Sequence, residues 1–211
     1  MDLYQQLKAD LQYGRFAPGT PLTQSELAER YGVSRIPVRD ALARLKTEGW
    51  LTDHGKRGVA VPLFDPQEAE DHYLMRMRLE PLLLELAAPK LNGEILGRAR
   101  DILDTLERTE GKPLPDAATI GSNNWQFHTC LYRAAERPAL FNTVEQLHRQ
   151  CQRHIGFQSR SLDYLETSQR EHYQLLELLQ RGETAKACSL LEQHIAAAGR
   201  MLVAHFRKPQ D

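Results

Sequence analysis

The chain has only three cysteines in 211 residues, Cys130, Cys151 and Cys188. They are odd in number, widely spaced and without a Cys-x-x-Cys pair, which speaks against a disulfide framework and for free thiols in a reducing compartment. No apolar run approaches the roughly 18 residues that a membrane span needs, and no signal peptide is present, so a cytoplasmic protein with no membrane partner is expected. Net charge is nearly absent as well, at -1 with a pI near 6.7, and this excludes a uniformly basic nucleic-acid coat. Internal repeats and low-complexity tracts are lacking too.

The charge that is present lies unevenly. Residues 1–64 hold nine Lys or Arg against seven acids, net +2, and six of the nine fall between Arg35 and Arg57; the remainder carries -3. A chain of this length can form two modest domains, each with its own core.

The segment Leu22 to Val61 reads as a winged helix-turn-helix. Thr23 and Glu26 stand at capping-box spacing, so each can satisfy an orphan backbone donor at a helix start. Leu27, Ala28 and Tyr31 give that helix an apolar side, Gly32 suits a left-handed helix end, and Ser34 can cap the next helix. There, Val38, Ala41, Leu42 and Leu45 form the buried stripe, which leaves Arg35 and Arg39 together on an exposed face near the amino end. A guanidinium fork matches guanine O6 and N7. Pro37 is tolerated in a first turn, and because it lacks a donor, Ser34 is expected to cap Ile36 instead. After Trp50 and Leu51, Thr52 to Val61 reads as two short strands joined by a basic tip at His54, Gly55, Lys56, Arg57 and Gly58, suited to phosphate or minor-groove contact. Any one of these arginines alone is ordinarily a solvated surface charge.

These residues resemble the amino-terminal domain of GntR-family transcription regulators. The resemblance rests on the APG of Ala17 to Gly19, LAERYGVSR of Leu27 to Arg35, PVRDAL of Pro37 to Leu42, Gly49 and Gly58. It implies a DNA-binding domain over residues 1–64, with Ser34, Arg35, Ile36 and Arg39 against a palindromic operator and the wing at His54, Gly55 and Lys56 alongside. It also implies a homodimer, which reads two half-sites at once.

Beyond the wing the pattern becomes helical, so the fold class is mostly α: a winged helix-turn-helix followed by an all-α bundle over residues 65–211. Asp65 and Pro66 make an N-cap and first-turn pair with Glu68 at the capping-box position. Tyr73, Met77, Leu79, Leu83 and Leu86 then carry the apolar pattern. Further helices are expected over Ile95–Leu106 and about 117–135, 138–158, 162–181 and 183–206, with 111–116 a loop. Six helices in this span should pack as a bundle.

Three histidines stand out by their helical register. His128 precedes Leu131 and Tyr132, His172 precedes Leu175, Leu176 and Leu179, and His194 lies among Leu190, Leu191, Ile195 and Ala198. All three point inward and could meet around one cation, and Asn124, one turn before His128, could add an oxygen. A single inward histidine is ordinarily a hydrogen-bonded core residue. His54, His72, His148, His154 and His205 lack this setting and are expected at the surface or in the wing.

Arg76, Leu79 and Glu80, NNWQFH of Asn123 to His128, REHYQLL of Arg170 to Leu176 and EQHI of Glu192 to Ile195 resemble the FCD effector domain of FadR-type GntR regulators, in the six-helix, VanR-like branch. That resemblance implies a divalent metal, zinc, nickel or manganese, on Asn124, His128, His172 and His194, beneath a cavity for a small carboxylate. Arg76 is a candidate grip on that carboxylate, with an exposed or structural ion pair the other reading. The common family pattern has Asp where this chain has Asn124, which removes one negative charge from the ligand set. Release from DNA by the effector is the usual outcome in the family. Two other classes stay open: a sensor in which the cation itself is the signal, and a metal-dependent enzyme, although no well-placed general base lies within a turn of the histidines.

Overall fold

The computed structural model describes residues 2–12, 15, 16, 18–55, 58–107, 117–161 and 164–207, and the side chains of all of these except 106, 107, 117, 118 and 152–161. It divides into two compact units, Met1–Asp65 and Pro66–Asp211.

The first unit runs α1 (Leu3–Gln12), β1 (Pro21–Leu22), α2 (Gln24–Tyr31), α3 (Arg35–Thr47), β2 (Thr52–His54) and β3 (Gly58–Ala60). The strands form an antiparallel sheet in the order β1-β3-β2, with Asp53 opposite Val59 and Pro21 opposite Ala60. Both β1 and α1 lie outside the sequence-based expectations; a two-residue strand is too short to show alternation. β1 is set by Gly19 in the left-handed region (φ 80°), whose N–H donates to Val61 O at 2.9 Å. Leu7 and Leu11 of α1, Leu27 of α2, Val38, Leu42 and Leu45 of α3, and Trp50 and Leu51 share one core. The expected stripe of α3 is therefore buried throughout.

The caps are met unevenly. Thr23 accepts from Glu26 N at 3.2 Å, but the Glu26 carboxylate takes the Thr23 hydroxyl at 2.7 Å rather than a backbone donor. Gly32 ends α2 at φ 65° as expected. Ser34 occupies the N-cap position of α3 in extended conformation yet makes no side-chain cap bond, which corrects the expected Ser34 to Ile36 cap. With Pro37 at the third helical position the usual donor is missing, and the hydroxyl stays exposed.

The second unit is helical: α4 (Pro66–Ala87), α5 (Gly93–Glu107), α6 (Ala117–Tyr132), α7 (Pro138–Ser161), α8 (Leu165–Gln180) and α9 (Thr184–Arg207), with 3-10 turns at Ala88–Lys90 and Arg133–Ala135. The expected loop at 111–116 lies outside the described residues. On α4 the buried positions are Ala69, His72, Tyr73, Arg76, Glu80, Leu83, Leu84 and Ala87, so the inward face mixes apolar and charged groups. Met77, Leu79 and Leu86 are only half-buried. α4 packs along α9 so closely that a Cβ built on Gly199 would lie 2.8 Å from Tyr73 Cγ. No side chain larger than hydrogen fits there without moving the tyrosine.

Candidate functional site

In the first unit, the amino end of α3 is open. Arg35, Ile36 and Arg39 are exposed, Ile36 at 65%, and a large apolar residue without intramolecular packing at this place is the informative feature. Nε and Nη2 of Arg39 both donate to Asp40 Oδ1 at 3.1 Å. The pair is exposed, so it is worth at most about 1 kcal/mol and opens readily. Beside it runs a cleft lined by Arg39, Ala43, Asp53, Gly55 and Gly58. Lys46 Nζ to Asp53 Oδ1 at 2.6 Å ties α3 to the hairpin. His54 is exposed and Gly55 adopts φ 61° at the turn; Lys56 and Arg57 lie outside the described residues.

In the second unit, α6, α8 and α9 bring His128, His172 and His194 together, all buried, with ligand nitrogens within 4.8 Å of one another. The outer contacts of each ring follow one pattern. Tyr132 donates its hydroxyl to Glu80 Oε2 at 2.8 Å, so its oxygen is left to accept from His128 Nδ1 at 3.3 Å. The Glu171 carboxylate accepts from His194 Nδ1 at 2.6 Å, and Gln169 Oε1 from His172 Nδ1 at 3.3 Å. With an acceptor facing each Nδ1, the Nδ1–H tautomer is favoured in all three rings and each Nε2 keeps its lone pair. That is the tautomer a metal requires, and it is fixed by outer hydrogen bonds in the manner of metal-bound histidines. Asn124 Nδ2 lies 3.4 Å from His172 Nε2, so the amide borders the same centre and would present its oxygen after a flip. A narrow crevice lined by Ile120, Asn124, Ser168, Gln169 and His172 leads to this point. The donor set therefore fits a borderline cation such as zinc or nickel.

Arg76 is buried, and its Nε donates to Glu80 Oε1 at 2.6 Å. The exposed-pair alternative is thus excluded; the pair is internal, and it continues through Tyr132 to His128. Glu80 and Tyr132 were not singled out as a link by sequence reasoning, because the contact crosses from α4 to α6. His72 and His148 correct a further expectation. They are buried, not at the surface, and His72 Nδ1 and His148 Nε2 have no hydrogen-bond partner among the described residues. His148 stacks on Trp125 with ring centroids 4.0 Å apart. His54 is exposed and His205 half-buried; the side chain of His154 lies outside the described residues. Cys151 is buried and Cys130 and Cys188 are half-buried, all as free thiols.

Burial holds the His128, His148 and His172 rings well below the usual imidazole range. The neighbouring histidines lower His128 and His172 further, and Arg76 and Arg149 lower His148. Since each folded-state pKa lies below the unfolded value near 6.5, the unfolded chain takes up protons first on acidification. The contribution to stability is whole above about pH 6.5 and is lost as pH falls through that value. Urea titrations of the metal-free protein at about pH 7.5 and about pH 5.5 should show a marked loss at the lower pH; equal midpoints would contradict it. Glu171 runs the other way: burial raises its pKa, but hydrogen bonds from His194 and Tyr164 outweigh this and leave it below the usual carboxylate value.

A helix-turn-helix with a hairpin wing, joined in one chain to a helical bundle with a buried polar centre, defines a DNA-binding regulator. Comparison with known proteins makes the class specific. Residues 1–61 match the bacterial regulatory proteins of the gntR family, and residues 71–197 match the FCD domain. The chain belongs to the GntR family of transcription regulators with an FCD domain. Among its relatives, the uncharacterized HTH-type transcriptional regulator YdhC of Bacillus subtilis is 28% identical over 202 residues, covering 93% of this chain and 86% of the relative. The HTH-type transcriptional repressor GlaR of Escherichia coli is 28% identical, covering 92% and 91%. The solved structure of E. coli McbR/YncC shares the fold, with a TM-score of 0.75 at 23% identity over 97% of both chains. Families and relatives alike are transcription regulators, which sets the enzyme reading aside. FCD domains commonly bind metals, and the triad is of the kind that can. No helix among the described residues is long and apolar enough to cross a membrane.

Proposed function

We propose that this protein is a cytoplasmic, homodimeric repressor whose grip on a palindromic operator is released by a small carboxylate bound beside a divalent metal. GlaR, named as a repressor, supports the sign. In this reading Arg35 and Arg39 read guanine edges, Ile36 meets a thymine methyl, and Ser34, left without a backbone partner, donates to phosphate. His54, Gly55 and Lys56 follow the backbone from the wing. The exposed Leu74, Met75 and Leu82 of α4 support a second copy of the chain as the partner. Leu74 lines a groove with Tyr73, Met77 and Val203, where Glu70 and Arg207 pair across α4 and α9; Arg78 pairs with Glu192 across the same two helices. Acids and bases thus alternate around an apolar strip, as a two-fold, self-complementary face requires.

His128, His172, His194 and Asn124 would hold zinc, nickel or manganese, which when bound supplies a positive centre for an anionic ligand. The observation that carries this is the convergence of three rings that each have an oxygen acceptor at Nδ1. Arg76 would meet the carboxylate on the α4 side through its terminal nitrogens, its Nε being held by Glu80.

Because Asn124 is neutral, the ligand set has no negative charge of its own, so metal and effector should bind interdependently. Titration of zinc with and without a panel of small hydroxy- and dicarboxylates should show strong mutual enhancement that weakens in Asn124→Asp. Equal enhancement in both proteins refutes the coupling. A change of operator affinity with zinc alone and none with any acid would favour a metal sensor.

A further inference from the structure

Two carboxylates are tied to the histidine triad. Glu80 reaches His128 through Tyr132, but Arg76 sits on its other oxygen at 2.6 Å, so the pair is neutral as a unit. Glu171 contacts His194 directly at 2.6 Å, and among the described residues no Lys or Arg is ion-paired with it. It precedes the ligand candidate His172 by one residue on α8, so the helix that offers one imidazole also presents a carboxylate to another on α9. Tyr164, buried at the start of α8, donates its hydroxyl to Glu171 Oε2 at 3.1 Å and fixes that oxygen.

We propose that Glu171 supplies through His194 part of the negative charge that Asn124 lacks, the effector supplying the rest, and that Glu171, held by Tyr164, sets the affinity of the effector-free centre for a divalent cation. This rests on the metal-site reading above. A carboxylate that accepts the Nδ1 proton makes the imidazole more basic at Nε2, where the cation sits, and places a formal charge one hydrogen bond from it. Of the two linked carboxylates only Glu171 touches its histidine directly and without a guanidinium in ion-pair contact, Arg170 acting on it only through space. It acts as a positioning and charge-supplying residue, not as a ligand.

Zinc affinity of the full chain, measured by competition with a chromogenic chelator, tests this in four proteins: wild type, Glu171→Gln, Asn124→Asp and the double variant. Glutamine keeps an acceptor for His194 Nδ1 and removes only the charge. The expected loss in Glu171→Gln is about 10- to 100-fold, and the double variant should recover most of it because the charge returns at position 124. Wild-type affinity in Glu171→Gln would overturn the proposal, as would a loss that Asn124→Asp does not relieve, since that would mark a merely structural role. If wild type and His172→Ala bind zinc equally poorly, the metal-site reading itself fails.

Discussion

Arg39→Ala is expected to lower the affinity of the dimer for its operator by about 30-fold to 10⁴-fold, with little change on random duplex. A bidentate contact to guanine discriminates by about 1–3 kcal/mol. A two-fold dimer makes each contact twice, so the cost is about 2–6 kcal/mol, at about 1.4 kcal/mol per factor of ten. The competing Asp40 pair is exposed and small on this scale, and α3 is held by Val38, Leu42 and Leu45 on its other side, so folding should be unaffected. Arg39→Lys keeps the charge but loses the fork and should behave nearly as badly on the operator. A phosphate contact would give a different result: a uniform loss on all duplexes, rescue by lysine, and a shallower salt slope. Fluorescence anisotropy at fixed salt, with a duplex first selected from a random pool and its scrambled version as competitor, separates the two.

His172→Ala should abolish stabilisation by zinc. For wild type, a ligand present at about 100 times its dissociation constant adds roughly 2.7 kcal/mol, and for a chain of about 200 residues each kcal/mol moves the melting temperature by about 2–4 °C. A shift of about 5–10 °C is expected, with none in the variant. The matched control is His148→Ala. That ring is also buried, but it stacks on Trp125 and stands outside the triad, so its loss should lower the melting temperature of the apo protein and leave the zinc shift intact. Differential scanning fluorimetry with and without zinc reads both. A shift that survives in His172→Ala would place the cation elsewhere.

The parts of this architecture readable from the residues are those encoded locally. The α3 stripe, the Gly32 turn and the hairpin were evident because caps, periodicity and turn chemistry act over a few residues. The inward direction of His128, His172 and His194 was evident because each lies in register with leucines on its own helix. His148 carries the same signal, with Val144, Leu147 and Cys151 on one side of α7 and all buried, so its inward position, against expectation, is encoded within its own helix. On α4, Arg76 and Glu80 interrupt the apolar pattern with a buried pair that is met by Tyr132 from α6. Contacts of that kind, like Glu171 on His194, depend on how helices far apart in sequence pack side by side, and no spacing within one helix encodes them. Ser34 shows the reverse limit: the cap position is legible, but spacing does not encode whether its exposed hydroxyl takes the Ile36 donor or stays in solvent.

In the proposed mechanism, what fills the buried histidine centre governs the DNA reader. The direct measurement is the ratio of operator to random-duplex affinity for the purified dimer in three states: metal-free, zinc-loaded, and zinc-loaded with saturating carboxylate. A clear preference for the selected duplex that collapses in the third state is the predicted result. A ratio near one in all three states, or a preference untouched by any occupant of the centre, would contradict it.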